Sequence, residues 1–127
     1  HMIRIPDPGR FELRLMDGSV NPYLLQAGVL AAGIEGLNKQ INPGKPLHCN
    51  MYEDSNKYPN LSKLPNELGE SLDKITNNKV LNKAFGKNVI DSYVKLKKIE
   101  LKEFNSKEKF DKSKPITKWE RQNTLDC

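Results

Sequence analysis

The 127-residue chain has little of what several classes of protein require. Its only two cysteines, Cys49 and Cys127, are too few for a disulfide-stabilised scaffold, and a zinc site would need ligands from elsewhere. The longest apolar run, 23–37, would extend about 22 Å as a helix, whereas the hydrocarbon core of a bilayer is about 30 Å thick. No secretory signal is recognisable, so we expect a cytoplasmic protein with reduced thiols and no membrane insertion.

The charge of the chain is moderately basic. Lysine and arginine number 21 against 16 aspartate and glutamate, which leaves a net charge of +5. In the lysine-rich stretch 95–118 acidic residues are interspersed with the basic ones, and aromatic residues, which could stack on bases, make up only 7% of the chain. Nucleic acid is therefore not the expected partner, although a small basic helical module that binds nucleic acid or a protein stays open as an alternative.

Residues 10–16 alternate between charged and apolar side chains. Arg10, Glu12 and Arg14 fall on one side of this stretch, and the residues between them are apolar. A period of two is typical of a β-strand with one solvated face. The segment Ile3-Arg4-Ile5 could form a partner strand, and Asp7-Pro8-Gly9 has the composition of a turn. A short hairpin over 3–16 is therefore predicted.

The charged face of this hairpin has two interpretations. The first is a solvated sheet face on which neighbouring charges compensate one another, which is common on exposed strands. The second is a wall of an anion-binding site, since arginine forks bind carboxylates and phosphates and a carboxylate between them can hold a divalent metal. Arg4, on the adjacent strand, would enlarge the positive surface.

A buried helix is predicted over 22–40. Asn21 is a good N-cap residue and Pro22 suits the first helical position. The helix is apolar on all sides, which is typical of a helix surrounded by protein. Because the rest of the chain offers too little material to surround it, we expect either a segment of a larger protein or an obligate partner.

The remainder of the chain is predicted to be a loop followed by helices. His1 and Met2 are interpreted as a tag residue and a start codon. The fold class is α+β and mainly helical, with a short N-terminal β-hairpin or strand pair followed by about five helices. The segment after the first helix is predicted to be a loop over 41–63. The helical region 64–127 then contains helices over about 66–75, 79–85 and 87–105, with Gly86 as the C-terminal stop of the second, and a short last helix opened by a Thr117–Glu120 capping box.

Several motifs of the chain occur together in one known family. They are Arg4-Ile5-Pro6, Arg10-x-Glu12-x-Arg14, Asp17-x-x-x-Asn21-Pro22-Tyr23-Leu24 and Ala31-Ala32-Gly33-Ile34-Glu35-Gly36-Leu37. This combination resembles the carboxyl-terminal part of the catalytic domain of glutamine synthetase, and the resemblance extends over 3–127. The closing Thr124-Leu125-Asp126-Cys127 resembles the bacterial type III branch of that family.

The resemblance implies a role for each candidate site residue. Glu12 is similar to a family glutamate that coordinates Mg²⁺ or Mn²⁺. Arg14 is similar to an arginine that contacts the substrate glutamate and the phosphoryl group in transfer, which makes it a catalytic and substrate-binding candidate. Arg4 and Arg10 are similar to arginines near the ATP phosphates. Tyr52 falls where some bacterial members carry an adenylylated tyrosine, but a loop tyrosine packed at the edge of the core is the alternative.

The resemblance also implies a reaction and partners. Glutamine synthetases make glutamine from glutamate, ammonia and ATP through γ-glutamyl phosphate, and they assemble into homo-oligomeric rings. The remaining metal ligands and substrate-binding residues of the family lie upstream of the part that this chain resembles. The chain alone is therefore expected to be inactive. A related ligase that joins glutamate to another amine stays open as an alternative.

Overall fold

A computed structural model of the protein describes residues 2–16, 18–108, 113 and 116–124. Within these ranges a two-stranded antiparallel sheet precedes a set of helices, as the predicted fold class requires. The elements are β1 (Ile3–Asp7), β2 (Arg10–Leu13), α1 (Pro22–Asn38), α2 (Met51–Asp54), a 3₁₀ turn (Ser55–Lys57), α3 (Leu68–Thr76), α4 (Lys79–Phe85), α5 (Lys87–Lys107) and α6 (Lys118–Asn123).

The predicted hairpin is present, and its turn follows from two residues. Pro8 and Gly9 form the loop between β1 and β2. Gly9 adopts a φ of +79°, which a residue without a Cβ reaches at little cost, and the proline fixes the backbone just before it. The strands therefore pair through a loop of only two residues.

Helix α1 begins where the sequence predicts. The side-chain oxygen of Asn21 accepts hydrogen bonds from the backbone N–H groups of Tyr23 and Leu24, both at 3.1 Å, and Pro22 occupies the first turn. The helix ends at Asn38, slightly before the predicted end at Gln40.

Helix α1 is not buried by the described part of this chain, and its burial by further protein stays a prediction. No residue of α1 is buried, because among the described residues only α4 packs extensively against it. Gly28 is on the packed side, where its missing Cβ would stand 3.9 Å from the ring of Phe85. On another side lies an exposed apolar stripe whose members are 55% to 82% exposed: Tyr23, Leu30, Ile34 and Leu37.

The segment predicted as a loop, 41–63, contains one short helix that composition did not suggest. The side chain of Asn50 accepts a hydrogen bond from the backbone N–H of Tyr52 at 3.2 Å and starts α2. Glu53 and Asp54 lie in its first turn, where negative charge is favourable. This local capping accounts for a sixth helix among the described residues, where about five were predicted.

The core lies between α3, α4 and α5. Leu72, Ile90 and Val94 are its buried hydrophobic members. Partly buried side chains that pack against them are Ile75, Phe85 and Tyr93. Gly86 ends α4 with a φ of +83° and turns the chain into α5, so the predicted stop at Gly86 is confirmed. These three helices form the best-packed part of the described chain.

Helix α6 is attached to the end of α5. The predicted capping box is present, with the Thr117 side chain and the Glu120 carboxylate each satisfying a backbone N–H of the other residue. The Trp119 ring meets Phe104 edge-on, with ring centroids 5.6 Å apart.

No helix among the described residues has the length and hydropathy needed to cross a membrane.

Replacing a core side chain should cost far more stability than replacing an exposed leucine of the same size. We expect Leu72→Ala to lower the free energy of unfolding by about 2 to 5 kcal/mol, because it removes apolar contacts and leaves a cavity. Leu30→Ala, at a position that is 65% exposed, serves as the matched control and should change it by less than about 0.5 kcal/mol. Urea unfolding followed by circular dichroism measures both, and equal losses would contradict the position of the core.

Candidate active site

The two strands bring four charged residues to one face of the hairpin. Arg4 pairs directly with Glu12, and Asp7 pairs with Arg10. Arg4 and Asp7 are three residues apart, so regular alternation would put them on opposite faces. A bulge between them shifts the register by one residue and returns Asp7 to the face that carries Arg4, Arg10 and Glu12.

The position of the bulge follows from the sequence. Pro6 lies inside β1, between the two paired positions, and its nitrogen cannot donate to the neighbouring strand. Regular pairing is therefore weakest at this residue. The tight Pro8-Gly9 loop fixes the other end by making Asp7 and Arg10 the last pair before the turn.

A chain of ion pairs runs across this face. Nη1 of Arg4 lies 3.2 Å from Oε2 of Glu12, and Nη2 of Arg10 lies 3.5 Å from Oε1 of the same carboxylate. Nη2 of Arg10 also lies 3.4 Å from Oδ2 of Asp7. Each carboxylate oxygen of Glu12 thus faces a different guanidinium. We call Arg4, Glu12, Arg10 and Asp7 the hairpin charge network.

The network is open to solvent. The side chain of Glu12 is 35% exposed, and those of the other three members of the network are more than half exposed. Exposed ion pairs contribute little to stability, so this arrangement is not needed to hold the fold together. Its guanidinium donors can instead exchange an internal carboxylate for an external anion.

Arg14 makes no ion pair with Glu12, although the alternation puts the two residues on one side of the strand. The second guanidinium beside Glu12 belongs to Arg4. This residue lies directly opposite Glu12 on the neighbouring strand, where side chains come within contact distance. Arg14 follows the end of β2, and its backbone N–H still donates to the carbonyl of Met2 at 2.9 Å. Its side chain is exposed and makes no hydrogen bond or ion pair with the described residues.

Asp7 is the member of the network that sequence reasoning missed. A strict period of two over β1 assigns it to the other face. The signal that could have placed it correctly is the combination of Pro6 inside the strand and Pro8-Gly9 after it. Together these residues indicate an irregular strand whose final residue pairs across a two-residue loop.

The described residues do not form a complete metal site. No group of three or more histidine, cysteine, aspartate or glutamate side chains among them is arranged to hold a metal ion. Glu12 can offer carboxylate oxygens of the kind that Mg²⁺ and Mn²⁺ prefer. It would be one ligand of such an ion, and the other ligands would come from outside the described residues.

Tyr52 is exposed rather than packed. Its side chain is 95% exposed at the second position of α2, so the interpretation of a tyrosine at the edge of the core is wrong. The side chain is therefore accessible to solvent. Whether it is modified stays a prediction.

Comparisons with known proteins identify the family. Residues 1–122 match the family described as the glutamine synthetase catalytic domain. Glutamine synthetase of Rhizobium meliloti (strain 1021) is 42% identical over 126 residues, which cover 99% of this chain and 27% of that protein. Glutamate–methylamine ligase of Methyloversatilis universalis is 40% identical over 106 residues, covering 81% of this chain and 24% of the relative.

A solved structure supports the same assignment. A GmaS/ADP complex in conformation 1 superposes with a TM-score of 0.79 at 38% identity, over 100% of this chain and 27% of that one. The chain belongs to the glutamine synthetase catalytic-domain family, so the family resemblance read from its motifs is confirmed. It spans about a quarter of the length of these relatives, and the type III branch is not confirmed.

The charge network predicts which arginines respond to a change at Glu12. In nitrogen-15 NMR spectra, Glu12→Gln should shift the side-chain Nε–Hε signals of Arg4 and Arg10, because both lose a charged partner. The signal of Arg14 should stay in place. Glu100→Gln, which removes the partner of Lys97 on α5, is the control and should move none of the three. A shift confined to Arg14 would show that Glu12 has different neighbours.

Proposed function

We propose that this chain forms the carboxyl-terminal part of the active site of an enzyme that makes glutamine from glutamate, ammonia and ATP through γ-glutamyl phosphate. The observation that carries the proposal is the Arg4–Glu12–Arg10 arrangement, in a chain 42% identical to a glutamine synthetase. A phosphoryl-transfer reaction of this type depends on positioning and on neutralising the charge of phosphates and carboxylates. Arginine side chains on a rigid hairpin suit both tasks.

Three arginines divide the anionic groups of the reaction between them in this proposal. Arg4 and Arg10 bind the ATP phosphates. Arg14 binds the substrate glutamate and the γ-phosphoryl group as it is transferred. Its guanidinium is exposed and makes no ion pair with the described residues, so it can receive an anion without releasing a partner among them. Its planar donors would hold the two oxygens of a carboxylate or phosphoryl group.

Glu12 is the proposed protein ligand to the divalent cation. Mg²⁺ or Mn²⁺, when bound, neutralises charge on the nucleotide phosphates. The described residues contain no complete metal site, so this role depends on ligands from the remainder of a family polypeptide. In the chain alone, the two guanidiniums beside Glu12 keep its carboxylate oriented toward the charged face of the hairpin.

The amine substrate is the part of the proposal that has a second candidate. The similarity to a glutamate–methylamine ligase, 40% identical over 106 residues, favours a related glutamate–amine ligase as the alternative. The hairpin charge network would serve either reaction, because both activate glutamate with ATP. Assays of one enzyme with ammonia, methylamine and ethanolamine would separate the two.

The proposal also covers how the chain contacts further protein, where the enzyme is located and which residue is modified. The exposed apolar stripe of α1 favours contact with further protein, since soluble chains rarely leave such a surface uncovered. We expect the remainder of a family polypeptide to cover it, and the whole to form a homo-oligomeric ring in the cytoplasm. Tyr52, with its exposed side chain, is the candidate site for adenylylation.

A hybrid enzyme tests the proposed function. In it, this chain replaces the 126 matching residues of the Rhizobium meliloti glutamine synthetase. We expect the hybrid to form glutamine from glutamate, ammonia and ATP, whereas the 127-residue chain alone should not. Glu12→Ala in the hybrid should lower kcat at least about 100-fold, because one cation loses a ligand and charge neutralisation at the phosphates fails.

The matched control for that experiment is Glu100→Ala, which removes a carboxylate on α5 that is 35% exposed, as Glu12 is. It should leave kcat within about twofold of the hybrid, because a surface charge remote from the site contributes little. Full activity of the Glu12→Ala hybrid would contradict the role of Glu12. Glutamine formation by the chain alone would contradict its dependence on the remainder of the family polypeptide.

A further inference from the structure

We propose that Asp7 is an internal counterion of Arg10 that competes with anionic ligands for its guanidinium and so sets the affinity of the hairpin for phosphate groups. The inference rests on the proposed anion-binding role of Arg10. It adds a residue that acts through Arg10, a positioning residue rather than a catalytic one.

The geometry puts Asp7 where an incoming anion would bind. Its Oδ2 lies 3.4 Å from Nη2 of Arg10, and Oε1 of Glu12 lies 3.5 Å from the same nitrogen. One edge of the guanidinium is therefore shared by two internal carboxylates. A phosphate that approaches this edge must displace Asp7 or bind beside its negative charge.

The bulge in β1 gives Asp7 this position. Without the one-residue shift between Arg4 and Asp7, the carboxylate would project from the apolar face. With the shift, Asp7 joins Arg4, Arg10 and Glu12, and the formal charges of these four residues cancel. Removal of the Asp7 charge would leave the hairpin charge network with an excess of one positive charge.

The contact between Asp7 and Arg10 is suited to exchange. Both side chains are more than 60% exposed, and their distance is long for a charge-assisted hydrogen bond. Such a pair contributes little to stability, so Asp7 can turn into solvent when a ligand arrives. Glu12 is less exposed and contacts two arginines, which makes it the more firmly held of the two acids.

Binding of inorganic pyrophosphate to the labelled 127-residue chain tests the inference. The side-chain Nε–Hε signal of Arg10 reports binding in nitrogen-15 NMR spectra. We expect Asp7→Asn to lower the Kd for pyrophosphate roughly two- to fivefold, the size expected when one nearby exposed charge is removed. The difference should shrink at high salt, because screening weakens the repulsion that Asp7 exerts.

Two further variants separate competition from other effects. Asp91→Asn removes a carboxylate that pairs with Lys87 on α5, so it makes the same change in net charge away from the hairpin and should leave the Kd unchanged. Asp7→Glu keeps the charge and should bind like the wild type. The cross-strand nuclear Overhauser effect between Arg4 and Glu12 verifies that each variant keeps the hairpin.

The outcomes distinguish this inference from the proposed function. If the wild type binds through Arg10 and Asp7→Asn binds no better, or if Asp91→Asn gains as much, Asp7 is not the counterion and the inference alone is overturned. If Arg10 responds to pyrophosphate in neither the wild type nor Asp7→Asn, its anion-binding role fails and the inference fails with it. A gain confined to Asp7→Asn supports both.

Discussion

The carboxylate of Glu12, held between the guanidinium groups of Arg4 and Arg10, is the interaction on which the candidate active site depends. It joins the two strands on their charged face and brings together the residue types that a phosphoryl-transfer site requires, cations for phosphate and an acid for a divalent metal. Local chain geometry produces it, since the two-residue loop fixes the register and Pro6 permits the bulge. No large hydrophobic core is needed for this arrangement.

The distribution of apolar surface indicates that the hairpin and the helices pack against further protein. Three buried hydrophobic residues, one on α3 and two on α5, form the core against which Phe85 of α4 packs, while α1 leaves a long apolar stripe in solvent. The chain spans 27% of the length of a relative, and its exposed apolar helix faces are suited to pack against further protein. The same reasoning applies to the metal, because Glu12 offers one ligand of a site that needs several.

Local signals in the sequence predicted the helices and strands well. They predicted less well which residues from different elements lie next to one another. The caps at Asn21 and Thr117 and the stop at Gly86 each depend on a few neighbouring residues, and each is found in the structure. The period of two at 10–16 also predicted a strand, which ends at Leu13. The partner of Glu12 was harder to predict, because it depends on strand pairing and on a bulge that alternation does not reveal. Burial of α1 could not follow from its composition, since burial depends on which protein surrounds the helix.

A manganese anomalous-difference map from crystals of the hybrid enzyme, grown with MnADP, tests the role of the Glu12 carboxylate most directly. We expect a manganese ion coordinated by a carboxylate oxygen of Glu12, with the nucleotide phosphates against the guanidinium groups of Arg4 and Arg10. Manganese bound without Glu12, together with phosphates held away from both arginines, would contradict it. In that case the charged face of the hairpin would be a solvated surface with compensating charges.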